Sequence, residues 1–255
     1  MAPLQFGILG PVEIWLGGGL AVPGSKPRSL LAALLLGANR VQQTDWLVEA
    51  VWGDRPPAAA EDRLAEHVAA LRRLLGRRLV AQSHGYLLQV EPAQLDLLLF
   101  EEAVRRARLD LAAREYDAAA AGLRAALTLW RGGALADVDS RLLREVEAPR
   151  LEEQRLSAVE DRVEADLRLG RHADVVRELR LLVAAHPLRE RFCRHLIIAL
   201  YRCGQRDAAL TAYEQAVHAM QTLGVTPGPT LRQLALAVRT DHPSLGPPDP
   251  YSPGS

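Results

Sequence analysis

From Pro56 to Gly76 the chain reads PPAAAEDRLAEHVAALRRLLG, with its apolar positions spaced as on one face of a helix. Leu64, Val68, Leu71 and Leu75 recur at steps of four, three and four, which predicts an amphipathic helix over Ala58–Leu75. Its other side carries Arg63, Glu66, Ala70, Arg73 and, just beyond the end, Arg77. Ahead of it, β-like runs at Leu4–Leu9, Val12–Leu16 and Leu20–Val22 are separated by Gly10-Pro11 and by Gly17–Gly19, which predicts a small antiparallel sheet. Pro27 in a first-turn position, with Ser25 as cap, predicts a helix Arg28–Ala38 stopped by Asn39. Thr44 caps a second helix, Asp45–Trp52, closed by Gly53. After Gly76, the runs Leu79–Gln82 and Tyr86–Val90, joined by Ser83-His84-Gly85, predict a β-hairpin. Small sheet, three helices and hairpin form the plan of a winged helix-turn-helix over residues 1–92. In that plan the third helix enters the major groove and the hairpin touches the backbone beside it.

From Leu95 to Arg239 the pattern turns almost wholly helical, with few β-branched or aromatic residues. Gly170 and Gly204 stand 34 residues apart, the tetratricopeptide period. Five, nine and twelve residues after Gly204 come Ala209, Tyr213 and Ala216; the same offsets after Gly170 give Val175, Leu179 and Leu182. An earlier copy centres on Arg114, with Ala119, Leu123 and Ala126, and the longer insertion LWRGGALADVDSRLL separates it from the others. No single helix pair buries its apolar face alone, so stacked repeats are expected over residues 93–242. The predicted fold is therefore mostly α: a winged helix-turn-helix followed by an all-α, tetratricopeptide-like helical domain. Residues 243–255, PSLGPPDPYSPGS, are Pro/Ser/Gly-rich and expected to be a disordered tail.

Charge makes any nucleic-acid reading a local one. Lys and Arg number 31 against 31 Asp and Glu in the 255 residues, so no global field draws the chain to a polyanion. Within residues 1–92 nine basic residues face eight acidic ones, a net of +1. Lys26 is the only lysine, a bias toward Ala, Leu and Arg that suits a GC-rich genome. Cys193 and Cys203 are ten residues apart, so on one helix they stand roughly 15 Å from each other, beyond disulfide reach. They read as free thiols in a reducing compartment. The N-terminus shows no secretory signal, and the longest apolar run, Leu30–Leu36, is far short of a membrane span. The expected location is therefore cytoplasmic, nucleoid-associated and without a membrane role.

No enzymatic pattern emerges. The seven histidines are scattered, no phosphate-cradling glycine loop is present, and pairs such as Glu152-Glu153 read as solvated helix face. Neither enzyme activity nor cofactor nor metal is expected.

Several fragments, in order, carry a family resemblance. FGILGPVEI, KPRSLLAALLL from Lys26 to Leu36, LVEAVWGDRPP, HVAALRRLLG and HGYLLQV closely resemble the N-terminal domain of the Streptomyces antibiotic regulatory protein family, an OmpR-type winged helix with an added sheet. LTLWRGGALADV, RLEEQRLSAVEDRVEADLRLGRH, HPLRERFCRHLIIALYRCGQRDAALTAYE and LGVTPGPTLRQL resemble the bacterial transcriptional activator domain of the same family. The resemblance implies a pathway-specific activator of secondary-metabolite (antibiotic) genes. It implies binding to promoter direct repeats of double-stranded DNA as a homodimer of side-by-side protomers, and recruitment of RNA polymerase holoenzyme through its sigma subunit. It places Arg63, Glu66, His67, Ala70 and Arg73 toward the groove, and Arg72, Arg77, Lys26 and Arg28 at phosphates. Tyr86 and Gln82 fall in the wing. The chain departs from the family where a polar pair, often Ser-Arg, precedes Leu-Arg-Arg: it has Ala69-Ala70, and alanine makes no bidentate bond to guanine. That departure leaves a second reading, a tetratricopeptide-like adaptor whose winged helix no longer binds specific DNA.

Overall fold

The structure is a computed structural model that describes residues 4–21 and 23–246, apart from the Ser244 side chain. The chain divides into two compact units: residues up to 105 with residues 124–157, and residues 106–123 with those from 158 onward. Packing therefore does not separate the chain at residue 92, where the pattern placed the end of the first domain.

In the first unit, β1 (Leu4–Gly7), β2 (Glu13–Leu16) and β3 (Gly19–Ala21) pair antiparallel in that order, with Phe6 opposite Ile14 and Ile14 opposite Ala21. Alternation holds, since Leu4, Phe6 and Ile14 are buried while Gln5 is exposed. β1 stops at Gly7 rather than Leu9 because the next two N–H groups leave the ladder. Ile8 and Leu9, both fully buried, donate instead to the Asp96 carboxylate at 2.9–3.0 Å. Val22, expected to end β3, lies outside the described residues.

Helix α1 (Ser25–Leu36) starts three residues before the predicted position, with Gly24 as N-cap, and Pro27 falls within its first turn. An N–H there has no intrahelical partner, so proline costs nothing. The helix ends two residues early as well, and Asn39 takes the left-handed φ of 63° that stops it. Its carboxamide then bridges to Val90 through both N–H and C=O. Every residue from Ser29 to Leu36 is buried. α2 (Thr44–Trp52) includes Thr44 in its first turn, so Gln43 rather than Thr44 is the cap. α3 (Ala60–Leu75) begins two residues later than predicted and buries the predicted stripe Leu64, Val68, Leu71 and Leu75.

The wing has three strands, not two. β4 (Gln42–Gln43) pairs with β6 (Gly85–Leu88), which pairs in turn with β5 (Leu79–Gln82), in the order β4-β6-β5. The close approach falls at Gly85, where a Cβ atom would lie 1.9 Å from the Gln42 carbonyl oxygen. A hairpin pattern does not reveal β4, because two glutamines show no alternation.

The helical stretch gives α4 (Asp96–Ala112), α5 (Tyr116–Leu127), α6 (Ala148–Arg168), α7 (His172–Ala185), α8 (Glu190–Arg202), α9 (Arg206–Thr222) and α10 (Pro229–Arg239). The repeat positions fall where the period placed them. Arg114, Gly170 and Gly204 have left-handed φ values of 64°, 77° and 74° in the turns before α5, α7 and α9. Ala119, Leu123, Val175, Leu179, Ala209 and Ala216 are all buried. The second unit also buries charge on α6: Glu160 is 3.0 Å from Arg189, Asp161 2.8 Å from Arg191, and Asp166 3.0 Å from Arg162. Cys193 and Cys203, within and just after α8, are free thiols.

The tail expected to be disordered from residue 243 opens with an ordered turn. Pro243–Leu245 forms one 3-10 turn, Leu245 is buried, and the Arg202 guanidinium donates to the Leu245 and Gly246 carbonyls at 3.2 Å. Residues 247–255 lie outside the described residues. Among the described residues no helix is long and apolar enough to cross a membrane, and no group of three or more His, Cys, Asp or Glu stands ready for a metal ion.

Candidate nucleic-acid interface

With four residues of α3 committed to the core, an advance of roughly 100° per residue turns Asp62, Arg63, Glu66, Ala69, Ala70 and Arg73 outward. Arg63, Glu66 and Arg73 are exposed and Ala70 is half-buried. Arg72 is exposed too, but its Nε donates to the Leu79 carbonyl at 3.0 Å, so it ties the end of α3 to the first residue of β5. Arg77 lies in the 3-10 turn Gly76–Arg78 that joins them, exposed beside a cleft lined also by Asn39, Arg78 and Gln89. In the wing, Gln82 is exposed opposite Gly85 at the hairpin end, and Tyr86 is half-buried opposite Ala81 and Gln42.

Three of the residues singled out in the sequence are engaged in packing instead. His67 stacks on Trp52 of α2 with ring centroids 5.7 Å apart at 26°. Burial pushes its ring below the ordinary histidine value, against the pull of Glu66. Lys26 donates to the Val51 carbonyl at 3.0 Å, with Asp139 at 4.0 Å. Arg28 is spent on a 2.9 Å ion pair with Asp137 and a 3.0 Å bond to the Pro23 carbonyl. A pattern of charges near a helix start does not distinguish a phosphate clamp from a tertiary one, because the carboxylate partner lies over a hundred residues away.

Sequence reasoning missed that partner segment. Residues 131–139 run against the first sheet and α1: Arg131 N–H donates to Leu9, Leu135 N–H to Ile8 and Ala136 N–H to Gly10 carbonyls. Asp137 accepts the Val12 N–H at 2.8 Å, and Ser29 donates to the Asp139 carbonyl at 3.4 Å. The Arg131 guanidinium reaches Glu13 at 3.0 Å and Asp96 at 2.9 Å and lies over Trp15, 5.3 Å from the ring centre. This strap fixes α1, against which both α2 and α3 pack. The only trace it leaves in the sequence is an interruption of the helical repeat.

Residues 95–239 match the family described as the bacterial transcriptional activator domain. The regulatory protein DnrI of Streptomyces peucetius is 35% identical over 266 residues, covering 99% of this chain and 98% of DnrI. RedD, a transcriptional regulator of Streptomyces coelicolor, is 34% identical, covering 98% of this chain and 76% of RedD. The regulatory protein AfsR of Streptomyces griseus is 39% identical over 98% of this chain, which spans only 26% of AfsR. The solved structure of Mycobacterium tuberculosis EmbR, in complex with a low-affinity phosphopeptide, matches with a TM-score of 0.90 at 33% identity, covering 94% of this chain and 66% of that one. The sheet, three helices, wing and helical repeats, together with these relatives, show that the chain belongs to the Streptomyces antibiotic regulatory protein family of transcriptional activators.

Proposed function

We propose that this transcriptional regulator binds double-stranded promoter DNA with α3 in the major groove and the three-stranded wing beside it. The observation that carries the reading is the outward face of α3. Arg63, Glu66 and Arg73 are exposed there, and Arg77 is exposed in the turn that leads from the helix into the wing. In this reading Arg73 and Arg77 hold phosphates, Arg72 holds the wing in place, and Gln82 and Tyr86 meet the backbone at the wing. The protomers sit side by side on direct repeats near promoters of secondary-metabolite genes, in the cytoplasm, and recruit RNA polymerase holoenzyme through its sigma subunit. The match to DnrI over both whole chains supports the regulatory role.

A mobility shift with the upstream regions of neighbouring genes, titrated with salt, tests it. Retardation that weakens linearly in log salt is the expected result, because released counterions set the slope. Absence of any shift at about 50 mM salt, where phosphate contacts are strongest, defeats the reading. That outcome favours the adaptor alternative, for which the second unit offers a groove of about 710 Å³ floored by Leu196 and Leu200 of α8 and walled by α7 and α9.

A further inference from the structure

The middle of the reading face on α3 is an acceptor, not a donor. Glu66 lies opposite the buried stripe, within the first two turns from Ala60, the part of a recognition helix that reaches base edges. One turn on, Ala69 and Ala70 offer only methyl groups. Arg63 stands three residues before Glu66, near enough along the helix face for an ion pair. Among the described residues Arg63 and Glu66 form no such pair, and the Glu66 carboxylate accepts no hydrogen bond. The carboxylate is therefore exposed and uncommitted on the face that the proposed function turns toward the groove.

An ionised carboxylate only accepts hydrogen bonds. In the major groove, two base edges present an amino donor, cytosine at N4 and adenine at N6. Beside its amino group adenine also presents the N7 acceptor, whose lone pair repels a carboxylate. Cytosine presents no acceptor of its own there. We infer that Glu66 is a specificity-determining residue that reads a cytosine through its N4 amino group, in place of the guanine contact that Ala70 cannot make. The inference rests on the DNA-binding reading above.

Selection from a randomised duplex library by the full chain, beside Glu66→Gln, Glu66→Ala and Arg73→Ala, tests it. Both replacements at residue 66 suit an exposed helix position, and a circular-dichroism melt confirms that each variant folds. The wild type should enrich cytosine at one position by about tenfold or more over the other bases. Glu66→Gln should move that preference to adenine, whose N6 and N7 suit a carboxamide, and Glu66→Ala should erase it there alone. Arg73→Ala should weaken binding to every sequence without altering the motif. A motif unchanged in Glu66→Ala, or a uniform loss of affinity in that variant, overturns the assignment of Glu66 and leaves DNA binding intact. Retention of no duplex by the wild type at about 50 mM salt overturns the DNA-binding reading and this inference together.

Discussion

Asp96 is 7% exposed, and its carboxylate takes the N–H groups of Ile8 and Leu9 and the Arg131 guanidinium at 2.9–3.0 Å. Removing the carboxylate orphans two buried amides and leaves Arg131 with Glu13 as its remaining carboxylate partner. Asp96→Ala should therefore cost about 3–5 kcal/mol, read as a lower urea midpoint. A second buried polar contact sets a pH dependence. His195, 1% exposed, stands 3.1 Å from Glu164, while its Nδ1 meets no partner among the described residues. The neutral ring with its proton on Nε2 satisfies that arrangement, because a bare lone pair is cheaper to bury than a bare N–H. Burial pushes the ring below its ordinary value against the pull of Glu164, and the hydrogen bond from His195 holds the Glu164 carboxyl down at about 2. Both values are depressed on folding, so the unfolded chain binds more protons and acid destabilises. The His195 contribution is present at pH 7 and fades below about 6.5, and that of Glu164 fades from about 4.5 down to 2. The urea midpoint should fall from pH 7 to pH 5, and His195→Gln, which keeps a donor but cannot titrate, should flatten that interval. Neither residue is marked in the sequence, where Asp96 is one helix-start acid and His195 one of seven scattered histidines. Their importance comes from partners that spacing does not reveal.

At the scale of elements, legibility followed local repetition. The stripe on α3 and the turns at Arg114, Gly170 and Gly204 were readable because each is set by residues within a few positions of one another. The helix starts were off by two or three residues where no side chain caps the helix, as at Gly24 and Ala59. β4 escaped entirely, since its two residues acquire strand geometry only from β6. Gly85→Ala should expose that dependence. The added methyl meets backbone, which has little room to yield, so the β4–β6 pairing should open at a cost of about 1–3 kcal/mol. Faster hydrogen exchange at the Gln42 and Tyr86 amides, the facing pair of that ladder, would report it, and unchanged protection would mean that β4 does not hold the wing. On the reading face, Arg73→Ala with Arg77→Ala should weaken DNA binding tenfold or more and lower the salt slope, with the helical spectrum unaltered. Unaltered affinity in that pair would place the phosphate contacts elsewhere.

At the scale of the molecule, the expected division at residue 92 follows the family's sequence boundary but not the packing. The activator-domain match begins at residue 95, yet the first compact unit draws in residues up to 105 and 124–157. A fragment ending at residue 92 lacks the acceptors for the Ile8, Leu9 and Val12 amides and the partner of Arg28. It should melt without a sharp transition, or well below the full chain, by circular dichroism. A melt as cooperative and as high as that of the full chain would show the strap to be dispensable. The strap was not legible because its bonds to the first sheet and α1 reach across more than a hundred residues, as in Arg28 to Asp137 and Val12 to Asp137, 109 and 125 positions apart, where no periodicity reaches. Under the proposed DNA-binding reading, promoter choice is not carried on a detachable cassette. A chimera that borrows another relative's reading head has to take two stretches of its donor, the leading one and the stretch around Arg131–Asp139. A single splice between them would join a head to a foreign strap, with the Val12 amide and Arg28 facing whatever residue the donor carries in place of Asp137.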